Sequence, residues 1–224
     1  VFYKSGIILK DDEQSKIENQ KSKITMTDER RARFSKVIRQ RQPDLTVILE
    51  NVHDPHNIGA VMRTCESVGI GEIFVLYTEA GEEELSRGKK SASSAKKWVD
   101  IHFYKDKKAC FEHVRRKCKR VFATHLGHDS VSMYDLDLTE SVALLFGNEH
   151  DGVSEEALTL CDGNFVIPQM GMVKSLNISV ACAVTLYETL RQRIKAGKYD
   201  TSLLSEAEQN AMFEDYARRG ARTS

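Results

Sequence analysis

Six short apolar runs, TVILE (46–50), EIFVLY (72–77), WVDIHFY (98–104), RVFATHL (120–126), VALLFG (142–147) and GNFVIP (163–168), alternate with longer stretches of helical period or polar loop. Strands covered on both faces read as continuous apolar runs, and parallel pairing needs connections long enough to hold a helix. The alternation therefore predicts an α/β protein with a mainly parallel sheet and helices on both faces. After the first run, Ile58, Val61, Met62, Cys65 and Val68 fall on one face at the helical period, with Asn57 placed to cap the helix and Gly69 and Gly71 to end it. SLNISVACAVTLYETLRQRIKAG predicts a long helix from about Leu176 to Ala196, stopped by Gly197. Two more helices flank this body. TMTDERRARFSKVIRQRQP is basic, capped by Thr25 or Thr27, carries Asp28 and Glu29 in its first turn, and meets Pro43 beyond its end. SLLSEAEQNAMFEDYARRG is amphipathic, with Ser205 and Glu208 spaced as a capping box. Three segments result: a basic arm (1–43), an α/β domain (44–197) and a helical C-terminal arm (198–224).

Composition narrows the class. Hydrophobic residues at 41% supply a core, and three prolines in 224 residues exclude low-complexity architectures. No stretch approaches the roughly 18 apolar residues of a membrane-spanning helix. The opening VFYKSGIILKDDEQ lacks an apolar core followed by small residues, so no signal peptide is expected and a cytoplasmic location is. Five cysteines, with no CxxC pair, read as buried reduced thiols, Cys65, Cys161 and Cys182 lying among apolar neighbours, and no metal site is expected. The net charge of zero hides segregation. Residues 1–41 hold eleven Lys or Arg, and further basic runs occupy 87–98, 105–120 and 191–198. Val121 to Val173 holds nine Asp or Glu and no Lys or Arg. Basic runs of this kind suit either solvated helix faces or nucleic-acid phosphate.

The polar residues of interest follow strands. The loops NVHDPHN, GNEHDG and QMGMVKSLN each come directly after an apolar run, and open α/β sheets bind ligands outside the carboxyl ends of their strands. No GxGxxG follows the first strand, and neither GxxxxGK[ST] nor GxSxG occurs, so dinucleotide, P-loop and serine-hydrolase chemistry are not indicated. His53 and His56 flank Pro55, but no third ligand follows at a recognised spacing.

ENVHDPHNIGAVMRTCESVG, LLFGNEHDGVSEEAL and IPQMGMVKSLNISVACAVTLYE resemble, in order and spacing, the three motifs of the SpoU class of S-adenosylmethionine-dependent RNA 2'-O-ribose methyltransferases. The likeness extends over roughly residues 27–217. It implies an α/β knot fold, with the C-terminal part threaded as a trefoil knot, and a homodimer. By the same resemblance Arg63, Asn57, Glu149, Ser175 and Asn177 are the catalytic positions, Arg63 orienting or deprotonating the ribose hydroxyl or clamping phosphate. Thr124, Leu126, Gly147, Ile167, Met172 and Leu176 are the cofactor positions, mostly through backbone groups, with Ile167 and Leu176 flanking adenine. Related enzymes often have Ser where this chain has Gly59. For RNA, the basic candidates are Arg30, Arg31, Arg33, Lys36, Arg39 and Arg41 at the front, Lys174 in the third motif, and Arg191, Arg193, Lys195 and Arg218 at the back. About 45 residues precede the first strand, too few for a separate substrate domain. That favours tRNA over ribosomal RNA, and the resemblance implies the D-loop guanosine of position 18 as its target. A non-catalytic RNA-binding protein on the same fold is a further alternative. Neither a membrane nor DNA is expected as a partner.

Overall fold

A computed structural model describes residues 26–78, 97–127 and 129–221. The basic run at 87–98 and the polar stretch before residue 26 lie almost wholly or wholly outside the described residues. In chain order the elements are α1 (Asp28–Arg39), β1 (Leu45–Glu50), α2 (Pro55–Ser67), β2 (Glu72–Leu76), β3 (Asp100–Tyr104), α3 (Lys107–Arg115), β4 (Arg120–Thr124), β5 (Val131–Ser132), β6 (Val142–Phe146), α4 (Glu155–Leu158), β7 (Gly163–Val166), α5 (Ile178–Lys195) and α6 (Glu206–Ala221). A single 3-10 turn, Met133–Asp135, follows β5.

The strands form one seven-stranded sheet in the order β3-β2-β1-β6-β4-β7-β5, every pair parallel. All six residues of β1 are buried, as both-face coverage requires. The period of two divides them. Leu45, Val47 and Leu49 pack with Ile58, Met62 and Cys65 of α2 and Cys182 and Leu186 of α5. Ile48 joins Phe74, Leu145 and Ala123 against Phe111 and Val114 of α3 and Ala157 of α4. Each sheet face thus has its own helical layer. The chain returns after β4 to place β6 between β1 and β4, so the carboxyl ends of β1, β6, β4 and β7 are neighbours. Among the described residues no helix is long and apolar enough to cross a membrane.

Local chemistry sets the boundaries. Thr27 caps α1, its hydroxyl accepting from the Arg30 amide at 3.3 Å. Ser205 and Glu208 close the capping box before α6, with the Ser205 amide donating to the Glu208 carboxylate at 2.8 Å and the Glu208 amide donating back at 3.3 Å. The start of α2 differs from expectation. Asp54, not Asn57, is its cap, accepting from the His56 amide at 2.9 Å, and Pro55 takes the first helical position, where no N–H is needed. Two-residue β5 is too short to leave a pattern. All five cysteines are free thiols. Burial pushes Cys110, Cys118 and Cys161 up to about 12, so these thiols stay protonated and unreactive at neutral pH.

α1 and α6, from opposite ends of the chain, share a small cluster of their own: Phe34, Ile38, Leu204 and Tyr216, with Trp98 edge-on to both Phe34 and Tyr216. Two basic residues expected on an RNA-facing surface belong to the interior instead. Arg41 is 2% exposed, and its guanidinium donates to the Tyr216 hydroxyl (2.8 Å) and to the carbonyls of Ile70 (2.9 Å) and Trp98 (3.3 Å). Arg193 is fully buried and donates to Leu138 O, Gln42 Oε1, Asp44 Oδ1 and Glu140 O at 2.6–3.1 Å. With their donors spent on the fold, neither reaches a phosphate; they tie the helical ends to the sheet.

Candidate active site

Three loops meet where β1, β6 and β7 end. The first leaves β1 through Asn51, which has φ +52°, a left-handed backbone that Asn tolerates better than most residues. Its side chain holds Thr78, donating to the hydroxyl and accepting from the amide, each at 2.9 Å. The Tyr77 hydroxyl donates to Val52 O at 3.0 Å. The loop is thereby pinned to the end of β2 before Pro55 starts the helix.

The second loop is built by glycine and Asx chemistry. Asn148 and Gly152 exchange two backbone hydrogen bonds of 3.2 Å, and Asn148 Oδ1 accepts from the amides of His150 and Asp151 at 2.8 and 2.6 Å. A Cβ on Gly147 would lie 1.9 Å from the Gly152 carbonyl carbon, so only glycine lets the chain close here. Glu50, at the end of β1 and 1% exposed, fixes the far side of the loop. Its carboxylate accepts from the Ser154 amide at 2.9 Å and from the Ser154 hydroxyl at 2.7 Å, while Ser154 caps α4.

The third loop runs from Ile167 to Asn177, which caps α5 by accepting from the Ser179 amide at 2.9 Å and hydroxyl at 2.6 Å. A relay joins all three. Asn177 Nδ2 donates to Asn57 Oδ1 at 3.2 Å, and Asn57 Nδ2 donates to Glu149 Oε1 at 2.5 Å. Three residues spread over 120 positions of sequence thus share one hydrogen-bonded chain. Asn57 is 8% exposed, and both ends of its amide are in use.

Beside the relay a cleft encloses about 210 Å³. Its apolar wall includes Phe146, Phe165, Ile167, Leu176 and Ile178, and Glu149, Lys174 and Ser175 bring polar groups. Thr124, Leu126, Gly147, Ile167 and Leu176 all line it, as does Gln169, which sequence reasoning did not single out. The Gln169 Oε1 atom is enclosed and has no hydrogen-bond partner. Met172 is not in the cleft; its side chain is 99% exposed, with Met170 and Val173 also outside. The volume is below the range of about 300–1,000 Å³ for pockets that engulf a drug-sized ligand, so a nucleoside-bearing ligand would keep part of itself at the open rim. A larger cavity of about 550 Å³ lies at the opposite, amino-terminal ends of the strands, away from all three loops.

Arg63 stands apart. Six helical residues from Asn57 turn it about 120° away around α2. It is exposed, lines no part of the cleft, and makes no hydrogen bond or ion pair with a described residue. A Cβ on Gly59 would meet nothing within 4 Å, so glycine there makes room for nothing in this chain. The basic candidates divide by partnership. Arg33, Lys36, Arg39, Lys174 and Lys195 are exposed and unpaired among the described residues. Arg30 donates to Gly220 O at 3.0 Å and Arg31 lies 5.7 Å from the centroid of the Phe213 ring. Arg191 is held bidentately by Glu188 at 2.7–2.8 Å, and Arg218 pairs with Asp215 at 2.6 Å. In the 105–120 run, Lys107, Arg115 and Lys117 pair with Glu156, Asp162 and Glu72, which commits them to joining elements.

Residues 44–187 match the family model described as the SpoU rRNA Methylase family. A tRNA (guanosine(18)-2'-O)-methyltransferase of Thermus thermophilus is 42% identical over 193 residues, covering 86% of this chain and 98% of that one. Among solved structures, the Aquifex aeolicus TrmH/SpoU tRNA modifying enzyme superposes with a TM-score of 0.73 at 34% identity, over 86% of this chain and 97% of that one. The SpoU methyltransferase AviRb of Streptomyces viridochromogenes, solved in complex with the cofactor AdoMet, gives 0.60 at 27%, over 70% and 60% of the two chains.

Proposed function

The chain belongs to the SpoU rRNA methylase family, and from that premise we propose that it methylates the ribose 2'-hydroxyl of guanosine 18 in tRNA, using S-adenosylmethionine. The observation that carries the reading is the Glu149–Asn57–Asn177 relay, which fastens all three motif loops beside one apolar-walled cleft. The residues fit the cofactor. Phe165, Ile167 and Leu176 offer walls for a purine, Glu149 and Lys174 offer opposite charges for a zwitterionic tail, and the orphaned Gln169 oxygen calls for a donor from a ligand. When bound, the cofactor supplies an electrophilic methyl carbon. The protein's task is then alignment, since transfer to an oxygen needs close positioning of the reacting atoms more than a strong acid.

In this reading Asn57 and Glu149 hold the loops, Ser175 and Asn177 order the start of α5, and Arg63 meets the RNA. An unpaired guanidinium keeps its planar fork free for a phosphate or the ribose oxygen. It acts as an electrostatic clamp, because a guanidinium carries only donors and a fixed charge and has no lone pair to accept the ribose proton. The exposed Arg33, Lys36 and Arg39 of α1, with Lys174 and Lys195, would meet phosphates and position tRNA without reading sequence. We further propose a cytoplasmic homodimer, a knotted C-terminal segment as the family fold implies, and a division of labour between the basic arm (1–43), the catalytic body (44–197) and the helical arm (198–224).

The test is methyl transfer from labelled cofactor to a tRNA transcript, with mapping of the product nucleotide. The expected product is 2'-O-methylguanosine at position 18, and a transcript carrying 2'-deoxyguanosine there yields none. Label mapped to that deoxyguanosine itself would place the methyl on a base and end the ribose reading. Label on ribosomal RNA fragments and on no tRNA would reassign the substrate.

A further inference from the structure

Two buried side-chain atoms lack a hydrogen-bond partner among the described residues, Asn164 Oδ1 and Gln169 Oε1. Only Gln169 lines the cleft. A buried acceptor left unmade is costly, so such an atom in a binding cleft marks where a ligand donor belongs. Gln169 lies between Ile167 and Leu176 in the third loop, and all three line the same cleft. That wall suits the flat apolar faces of a purine, whereas the charged groups, Glu149 and Lys174, suit the amino-acid end.

We infer that Gln169 reads the adenine of the cofactor, its Oε1 accepting a hydrogen bond from the 6-amino group. A carboxamide carries an acceptor and a donor side by side, the complement of the edge adenine presents, which is why Gln and Asn are common readers of that base. Hypoxanthine puts an oxygen where adenine has its amine; with the carboxamide oriented as it stands here two acceptors would face each other, and pairing would require the amide to turn over. Gln169 is a specificity residue under this assignment, and the cleft distinguishes 6-amino from 6-oxo purines with a side chain as well as with backbone groups. The inference rests on the proposal that this cleft holds S-adenosylmethionine.

Calorimetry with S-adenosylhomocysteine and S-inosylhomocysteine tests it on the full chain. The wild-type protein should prefer the adenine ligand by about tenfold or more, the size of one good hydrogen bond. Gln169→Leu should erase that preference, binding both ligands with about the affinity wild type shows for the inosine form. Its ligand-free melting temperature should equal or exceed that of wild type, since an unpaired acceptor has gone. Gln169→Met, a flexible side chain of similar length, repeats the test should the leucine variant fail to fold. A variant that keeps the adenine preference, or loses both ligands equally, overturns the inference. So does a wild-type protein that binds both ligands alike. A folded wild-type protein that binds neither ligand would instead remove the cofactor reading beneath it.

Discussion

Asn57 needs to be an amide: it donates to Glu149 with one end and accepts from Asn177 with the other. Asn57→Asp would set a second carboxylate against Glu149 at hydrogen-bond distance, where like charges repel strongly. Methyl transfer is expected to fall at least a hundredfold at neutral pH, with partial recovery as the pair takes up a proton in acid; a pH–rate profile without that recovery would count against the relay. Arg63→Ala should behave in the opposite structural sense. The residue is exposed and unpaired, so melting temperature and S-adenosylhomocysteine affinity should stay at wild-type values while turnover drops by two orders of magnitude or more. Near-normal turnover in a folded variant would dismiss its catalytic role. At this scale the sequence was informative where a motif is local. Asn57, Glu149, Asn177 and the Gly147–Gly152 turn could be named before the fold. Glu50 and Asn51 could not, because their partners lie 104 and 27 residues away and nothing near them marks the pairing. Arg41 and Arg193 misled for the same reason: a basic side chain in a basic run looks solvated until the carbonyls that enclose it are placed.

The elements themselves were legible from apolar runs, since six of the seven strands and the long helices announce themselves by period and caps. The order in which strands pair was not, as insertion of β6 between β1 and β4 is a long-range choice. Two predictions belong here. α1 keeps Phe34 and Ile38 inward and Arg33, Lys36 and Arg39 outward. Changing those three to Glu should leave folding intact, weaken tRNA binding severalfold or more, and flatten its salt dependence, because fewer counterions are released. Unaltered binding at low salt would leave α1 a solvated helix. The second concerns the β2–β3–α3 edge. Burial pushes the Glu72 carboxyl up, but hydrogen bonds from His102, at 2.8 Å, and from Lys117, with their charges, outweigh it and hold it at about 2. A depressed carboxyl stabilises the fold above its unfolded value and loses that contribution as pH falls through its folded value. Melting temperature should therefore drop between about pH 4.5 and pH 2, and Glu72→Gln should remove that part of the slope while lowering stability at pH 7. A Glu72→Gln acid profile identical to wild type would mean the pair is not coupled to folding.

Taken as one body, the molecule leaves an apolar surface that a single copy does not cover. One side of α5 is core, through Ile178, Cys182, Leu186 and the buried Thr185, Thr189 and Arg193. The other side shows Val180, Tyr187 and Ile194, 46–58% exposed and spaced by seven, with half-buried Val184 between the first two. Apolar positions at that spacing form the seam of paired helices, and a helix apolar on both sides is normally enclosed on both. Just before the amino end of α5, Met170, Met172 and Val173 of the third loop are also 65–99% exposed. Arg191, at the matching position along the seam, is neutralised by Glu188, so its charge does not argue against contact. A second copy packed along this seam would cover the patch and bring the third motif loops of both copies to the interface. Tyr187→Glu combined with Val180→Asp should convert the proposed dimer to a monomer at micromolar concentration, as measured by light scattering. The core face of α5 is untouched by these changes, so the far-ultraviolet circular dichroism should remain that of the folded protein. If the loops depend on that packing, the monomer should also bind S-adenosylhomocysteine more weakly. A wild-type protein that is monomeric at these concentrations would remove the dimer proposal, and a double variant that still dimerises would move the interface off α5.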